Sequence, residues 1–180
     1  MLDVIRIIEK YYDKHSEVYR ILVAHSRSVA DKALDIAKAH PEMNCDLVFI
    51  EEAAMLHDIG IVFCNAPEIG CHGTFDYVCH GYLGAELLQK EGLPLHALVC
   101  ERHTGTGITI QMIEEKNLPL PRRDFTPVSW EEQIISFADT FFSKTKPDKE
   151  KSIHAILETL RKHGETPVLR FNQWCKRFLA

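Results

Sequence analysis

The chain has 180 residues, 46% hydrophobic and 26% charged, the usage of an ordinary water-soluble globular protein. At ~100–200 residues per domain this is one domain, 1–180, with a core over about 18–144 and C-terminal helices over about 149–179, and little room for a separate regulatory unit. The formal charge of −5 excludes a strongly basic body, so no nucleic acid polymer is expected as a partner.

No apolar run approaches the ~20 residues that span a bilayer, so no membrane association is expected. The N-terminus, Met1-Leu2-Asp3-Val4-Ile5-Arg6, lacks the basic-then-apolar pattern of a secretory signal. Cysteines 45, 64, 71, 79, 100 and 175 form no Cys-x-x-Cys pair, and they read as reduced packing thiols of a cytoplasmic protein.

Apolar periodicity near 3.6 dominates and no sustained alternation appears, so the fold is expected to be all-α. Leu2 to Tyr12 reads as a short amphipathic helix. A second starts at Ser16 or Glu17, buries Val18, Ile21, Leu22, Val29, Ala33 and Ile36, and is ended by Pro41. A third runs from about Asp46 to His57 and Asp58 and stops at Gly60, read as a left-handed C-terminal residue. Ile61 to Thr74, with Pro67, Gly70 and Gly73, is expected to be a loop over that helix end.

Helices follow from Asp76 or His80 to Glu91, from Pro94 to about His103, and from Thr109 to Lys116. The proline-rich Leu118 to Arg123 is a loop or lid candidate. Ser129 caps a helix over Trp130 to Ser143, with Glu132 completing a capping box. Lys144 to Asp148 is a turn, and the final helices cover about Lys149 to Lys162 and Val168 to Leu179.

The chemistry lies in which polar residues share the apolar faces. His25 sits one turn from Ile21, Leu22 and Val29, and His57 one turn after Ala53 and Ala54, with Asp58 about 100° further around. His80 shares a face with Leu83, Gly84 and Leu87, His103 with Val99 and Cys100, and Asp139 with Ile135 and Phe142. Taken alone, each histidine can be a hydrogen-bonded core residue, and Asp139 can cap a helix or pair with an arginine. Together, four histidines and two aspartates on five helices point inward with no equal number of Lys or Arg beside them. Buried carboxylates cost several kcal/mol unless neutralised, and one or two divalent metals would satisfy the whole set. His15, His40, His72, His154 and His163 read as solvated, and His96 is kept as a candidate for supporting a ligand from behind.

In this order, His25, then Leu56-His57-Asp58-Ile59-Gly60, then Ala138-Asp139 resembles the H…HD…D pattern of the HD superfamily of metal-dependent phosphohydrolases, over about Val18 to Lys144. His80 and His103 match the two extra histidines of its two-metal subgroup. Within it, His80-Gly81-Tyr82-Leu83-Gly84-Ala85 and His103-Thr104 are similar to the bacterial hydrolases that split dinucleoside tetraphosphates symmetrically. The chain departs from those in carrying Ile61-Val62-Phe63 after the His-Asp pair and only Lys144 after the last aspartate, where they carry basic residues.

The resemblance implies a helical bundle with a central metal site. His25, His57, Asp58 and Asp139 would hold one ion, and Asp58 would bridge to a second held by His80 and His103. Fe, Mn, Ni or Zn suit such ligands. His57 and Asp58 would be the catalytic pair, and a metal-activated water would attack phosphorus in line. Arg27, Arg102, Lys144, Arg122 and Arg123 are the candidate phosphate-binding residues, a small phosphorylated metabolite or nucleotide is the expected partner, and a homodimer is compatible with the sequence. The same ligand set also resembles the HD-type mixed-valent di-iron oxygenases, and a non-catalytic nucleotide-sensing HD module is the third reading.

Overall fold

A computed structural model of the chain describes residues 2–180. Helix α1 spans Val4–Glu9, α2 Glu17–Ala39 and α3 Leu47–Leu56. A 3₁₀ stretch, Ile59–Phe63, and a two-residue antiparallel ribbon, β1 Asn65–Ala66 with β2 Cys71–His72, lead to α4 at His80–Lys90. Then come α5 Pro94–Arg102, α6 Ile110–Glu115, α7 Trp130–Thr140, α8 Ile153–Arg161 and α9 Glu165–Phe178. The expected all-α architecture holds, with Ile61 to Thr74 carrying the small ribbon instead of being wholly irregular. No helix among the described residues is long and apolar enough to cross a membrane.

Local chemistry sets the helix starts. Ser16, Asp46, Thr109, Ser129 and Ser152 each accept a backbone N–H of the first turn, which satisfies donors the helix cannot. At Ser129 only half the predicted capping box forms. Its hydroxyl accepts from the Glu132 amide, but the Glu132 carboxylate accepts from Val128 N at 2.7 Å and from Arg102 at 3.0 Å, since a buried carboxylate gains more from a guanidinium than from an amide alone.

Helix α2 packs on α3 and α7, α4 on α5, and α8 on α9. The core runs through Leu22 and Val29 of α2, Ile50 and Ala54 of α3, Leu88 of α4, Val99 of α5 and Ile134 of α7. Phe137 joins α9 to it through Phe171, Trp174 and Phe178, with ring centroids 5.3–6.2 Å away.

Three glycines set how closely α4 approaches. The chain leaves α3 at Leu56, and Gly60 lies inside the 3₁₀ stretch and is not among the left-handed glycines, so it is not the predicted helix terminator. It has a different task. A Cβ on Gly60 would stand 2.1 Å from the His80 carbonyl oxygen and 2.5 Å from Gly84 N, and one on Gly84 would stand 2.5 Å from Cys100 Sγ. Gly81 is confined less tightly, its Cβ meeting the Cys100 carbonyl oxygen at 2.9 Å. Backbone on backbone, the start of α4 is thus seated between the end of α3 and the end of α5, where the ligand-bearing residues lie.

Candidate metal centre

Six of the side chains singled out in the sequence meet at one buried point. Within one group lie His25 from mid-α2, His57 and Asp58 just beyond α3, and Asp139 near the end of α7; within the other lie Asp58, His80 from the first residue of α4, and His103 just beyond α5. Asp58 belongs to both, and its two oxygens divide the work. Oδ2 is 3.2 Å from His25 Nε2 and 3.0 Å from His57 Nε2, while Oδ1 is 3.2 Å from His80 Nε2 and 3.5 Å from His103 Nε2. Asp139 Oδ1 closes the first group, 2.9 Å from His25 Nε2. Asp58 reaches this position because its backbone (φ −106°, ψ 10°) has left the helical region for the sparsely populated bridge region, which turns the carboxylate back across the helix end.

The ring orientations are those of metal ligands. His57 Nδ1 faces the Ala54 carbonyl at 2.6 Å, His80 Nδ1 the Tyr77 carbonyl at 2.6 Å and His103 Nδ1 the Cys100 carbonyl at 2.7 Å. A carbonyl only accepts, so each Nδ1 carries a proton, which leaves Nε2 as the nitrogen whose lone pair each ring would offer inward to a cation. Yet His25 Nε2, His57 Nε2 and both Asp58 oxygens are buried without a partner in hydrogen-bond geometry. Two ligands about 2.1 Å from a common cation are separated by about 3.0 Å at a right angle and about 3.4 Å at the tetrahedral angle. The 2.9–3.6 Å separations between the carboxylate oxygens and the imidazole nitrogens are close to that size, so the residues fit one or two divalent cations.

Without cations the cluster holds its negative charge by other means. Burial pushes the Asp58 carboxyl up, but His57, Lys144, His103 and His25 together hold it well below the carboxylate range. Burial opposes ionisation of Asp139 too, and contact with His25 and His57 overcomes it in the same direction. Burial alone would lower the His57 pKa, and Asp58 with Asp139 raises it from 6.5 to about 10. His103 goes the other way, to about 4, because burial outweighs its contact with Asp58. A raised histidine pKa contributes stability that is complete below its unfolded value and disappears as pH climbs through the folded one. Chelator-treated protein is therefore expected to lose stability between pH 6.5 and about 10, and the fall should be smaller in His57→Gln; denaturation midpoints across that range check it.

The five candidate phosphate-binding cations separate. Lys144 places Nζ 2.6 Å from Asp58 Oδ2. It gets there because α7 ends at Thr140, three residues before the predicted Ser143, and a turn bridging Ser143 and Lys146 brings the chain back over the site. Arg27 pairs with Glu51 at 2.8 Å on the surface, Arg102 with Glu132, and Arg123 with Glu101, while Arg122 is exposed. None of these four lines the cavity over the cluster. Nor does the lid candidate, Leu118 to Arg123, whose Leu118 and Leu120 pack on the separate cluster of Ile108, Ile113 and Phe125. His96 is also distant in role: it lies 3.4 Å from Glu52 and edge-on to Phe49, away from the ligands.

That cavity, about 450 Å³, opens on His25, Asp139 and Lys144. Its walls include Tyr77, Lys151, Ser143 and Thr145, none of which stands out in the sequence. Tyr77 stacks beside His80 with centroids 4.7 Å apart and lies 5.5 Å from Lys144 Nζ. A usable signal for it is position, three residues before a candidate ligand, where its carbonyl accepts a hydrogen bond from the imidazole N–H. Lys151 is one of several lysines in the run after the last aspartate, and only the path of the turn selects it.

The HD domain family matches residues 22–143. The chain is 31% identical over 144 residues to a tRNA (cytidine(56)-2'-O)-methyltransferase of Thermoplasma volcanium, covering 79% of this chain and 37% of that protein. It is 32% identical over 124 residues to the enzyme of the same name from Picrophilus torridus, covering 68% of this chain and 32% of that protein. An uncharacterized protein of Methanocaldococcus jannaschii is 34% identical over 128 residues, 69% of this chain and 68% of the relative. The chain thus spans about a third of the length of the two methyltransferases. No solved structure gives a significant match. With the full H…HD…D set gathered at one buried point, and two further histidines beside it, this chain belongs to the HD domain family.

Proposed function

We propose that this chain is a metal-dependent phosphohydrolase, acting as a phosphomonoesterase or phosphodiesterase on a small phosphorylated metabolite or nucleotide. The observation that carries the reading is one aspartate, Asp58, shared by two ligand groups, the first of which reaches through His25 and Asp139 into a cavity bearing two lysines. His25, His57, Asp58 and Asp139 would hold one cation, and Asp58, His80 and His103 the other; Fe, Mn, Ni or Zn suit these nitrogen and oxygen donors. The chemistry that divalent cations supply in such a site is acidification of water toward neutral pH and neutralisation of phosphoryl charge.

The chain's own groups do the rest. Lys144 and Lys151 offer ammonium groups to phosphoryl oxygens, and Ser143 and Thr145 offer hydroxyl donors on the same wall. Tyr77 and Phe142 shield the approach from bulk water, which strengthens those contacts. The Nδ1–carbonyl bonds keep His57, His80 and His103 in the ligand tautomer throughout. The methyl transfer named for two relatives reaches this chain only through a segment of about a third of their length, and a histidine–carboxylate cluster is a cation site, so hydrolysis is the reading the cluster supports.

The test is purified protein loaded with Mn²⁺ and offered nucleotides, sugar phosphates and p-nitrophenyl phosphate. Phosphate or nucleotide release that stops with chelator is expected. In Lys151→Ala, KM should rise about tenfold with kcat within about twofold, the mark of a group that binds without taking part in the chemistry. Two bound metal equivalents with no release from any ester, or oxygen uptake with a mixed-valent iron signal, would overturn the proposal.

A further inference from the structure

Beside the cavity over the ligands lies a second chamber of about 290 Å³, and the two share Gly105 and Leu160 as walls. Its lining is mostly carbon, from Val78, Ile108, Met112, Leu118, Leu160 and Pro167, with Thr104, Thr106, Lys116 and His163 as its polar members. Ile108, Leu160 and Pro167 are buried, so the chamber is set into the fold and is not a surface dimple.

The loop between α5 and α6 contributes Gly105 to both cavities and is held from behind. Gly105 (φ +61°) and Gly107 (φ +94°) take the left-handed conformations that the bend needs. A Cβ on Gly107 would meet Thr126 Cα at 2.8 Å and Pro127 Cδ at 2.9 Å, so the loop is pressed against the segment before α7. Arg170 of α9 donates to the Thr106 carbonyl, and Ile108 exchanges backbone hydrogen bonds with Phe125 at 2.8 and 3.0 Å. Thr106, which lines the chamber, is 2% exposed, and its hydroxyl has no hydrogen-bond partner within the chain.

We propose that this chamber seats the apolar, ring-bearing alcohol or phenol portion of a phosphomonoester whose phosphoryl group lies in the adjoining cavity. The proposal rests on the phosphohydrolase reading and narrows its substrate class. A sugar set against these carbon walls would leave most of its hydroxyls without partners, whereas a single ring or fused pair gains from leaving water and can offer one polar atom to Thr106. In hydrolysis the water oxygen bonds to phosphorus, the bond from phosphorus to the substrate oxygen breaks, and the alcohol leaves with a proton from that water. Phosphate esters of glycerol and other polyols are the poor substrates in this arrangement.

The experiment compares 1-naphthyl phosphate with glycerol 3-phosphate on the Mn²⁺-loaded protein and on Leu118→Trp, which fills the chamber. In the unaltered protein KM for the naphthyl ester should be at least about tenfold lower. Leu118→Trp should raise that KM about tenfold and leave kcat/KM for glycerol 3-phosphate within about twofold. Equal KM values in the unaltered protein, or parallel changes for both esters, overturn the proposal. Met112→Phe carries the same readout if the tryptophan variant fails to fold. Fluorescence titration with 1-naphthyl phosphate separates the two readings. Binding that the filling variant abolishes, with no ester hydrolysed, would refute phosphohydrolase activity and keep the chamber; hydrolysis without ring preference would refute the chamber alone; neither binding nor hydrolysis would refute both.

Discussion

Asp58→Ala is expected to bind neither metal ion and to have no measurable activity, because the substitution removes the one ligand common to both groups. His80→Ala provides the contrast. It takes a ligand from the second group only, and should lose one metal equivalent while His25, His57, Asp58 and Asp139 retain the other. Asp58→Ala also has a cost unrelated to activity. Lys144 lies 2.6 Å from Asp58 Oδ2, and the His57 proton is held largely by Asp58, so metal-free Asp58→Ala leaves buried positive charge with Asp139 as its remaining counter-charge. Removing one partner of a buried ion pair costs about 3–5 kcal/mol, less whatever is recovered when His57 releases its proton. Elemental analysis and denaturation of the chelated proteins measure the two effects separately. Equal metal content in Asp58→Ala and His80→Ala would sink the shared-ligand arrangement.

Gly60→Ala should be the most damaging single methyl group for the metal centre; Gly73, whose Cβ would stand 2.0 Å from the Phe63 carbonyl oxygen, is as tightly confined but lies in the ribbon segment. A Cβ on Gly60 would stand 2.1 Å from the His80 carbonyl oxygen and 2.5 Å from Gly84 N, both main-chain atoms that no rotamer change can move. Overpacking typically costs about 1–3 kcal/mol, and a backbone-on-backbone clash belongs at or above the top of that range. The displacement falls on the start of α4, so His80 should move away from His103 and the second ion should be lost, while the first group, carried by α2, α7 and the end of α3, keeps its ion. Gly92→Ala is the control: at φ +77° with open space around it, alanine there meets only the left-handed strain of about 1–2 kcal/mol, far from the ligands. Gly60→Ala with unaltered melting and two bound ions would mean that α4 does not approach as closely as the structure has it.

The candidate ligands are legible in the sequence because each contradicts its surroundings. A carboxylate at Asp139, flanked one turn away by apolar Ile135, and imidazoles at His25 and His103 on apolar faces are violations of helix patterning that need an explanation from outside the helix. Gly60 was misread for the opposite reason. A glycine after a helix obeys the helix-end pattern, and nothing local distinguishes one chosen for a left-handed turn from one chosen so that another backbone can press against it. Among the cations, sequence proximity to a ligand had little to say about proximity in space: Arg27 and Arg102 are each within two residues of a candidate ligand, yet both point to carboxylates elsewhere, while Lys151 lies twelve residues past Asp139 and lines the cavity. Turns and tertiary ion pairs decide such cases, and neither leaves a period in the chain.

The imidazole protons of His57, His80 and His103 rest on the main-chain oxygens of Ala54, Tyr77 and Cys100, each three residues upstream. Aiming of these rings is therefore inherited from the shape of a helical turn and asks nothing of the side chains at those positions. What the main chain supplies at 54, 77 and 100 is separate from the packing of the side chains there, and the way to disable a candidate ligand without touching it is to unwind the turn that holds it.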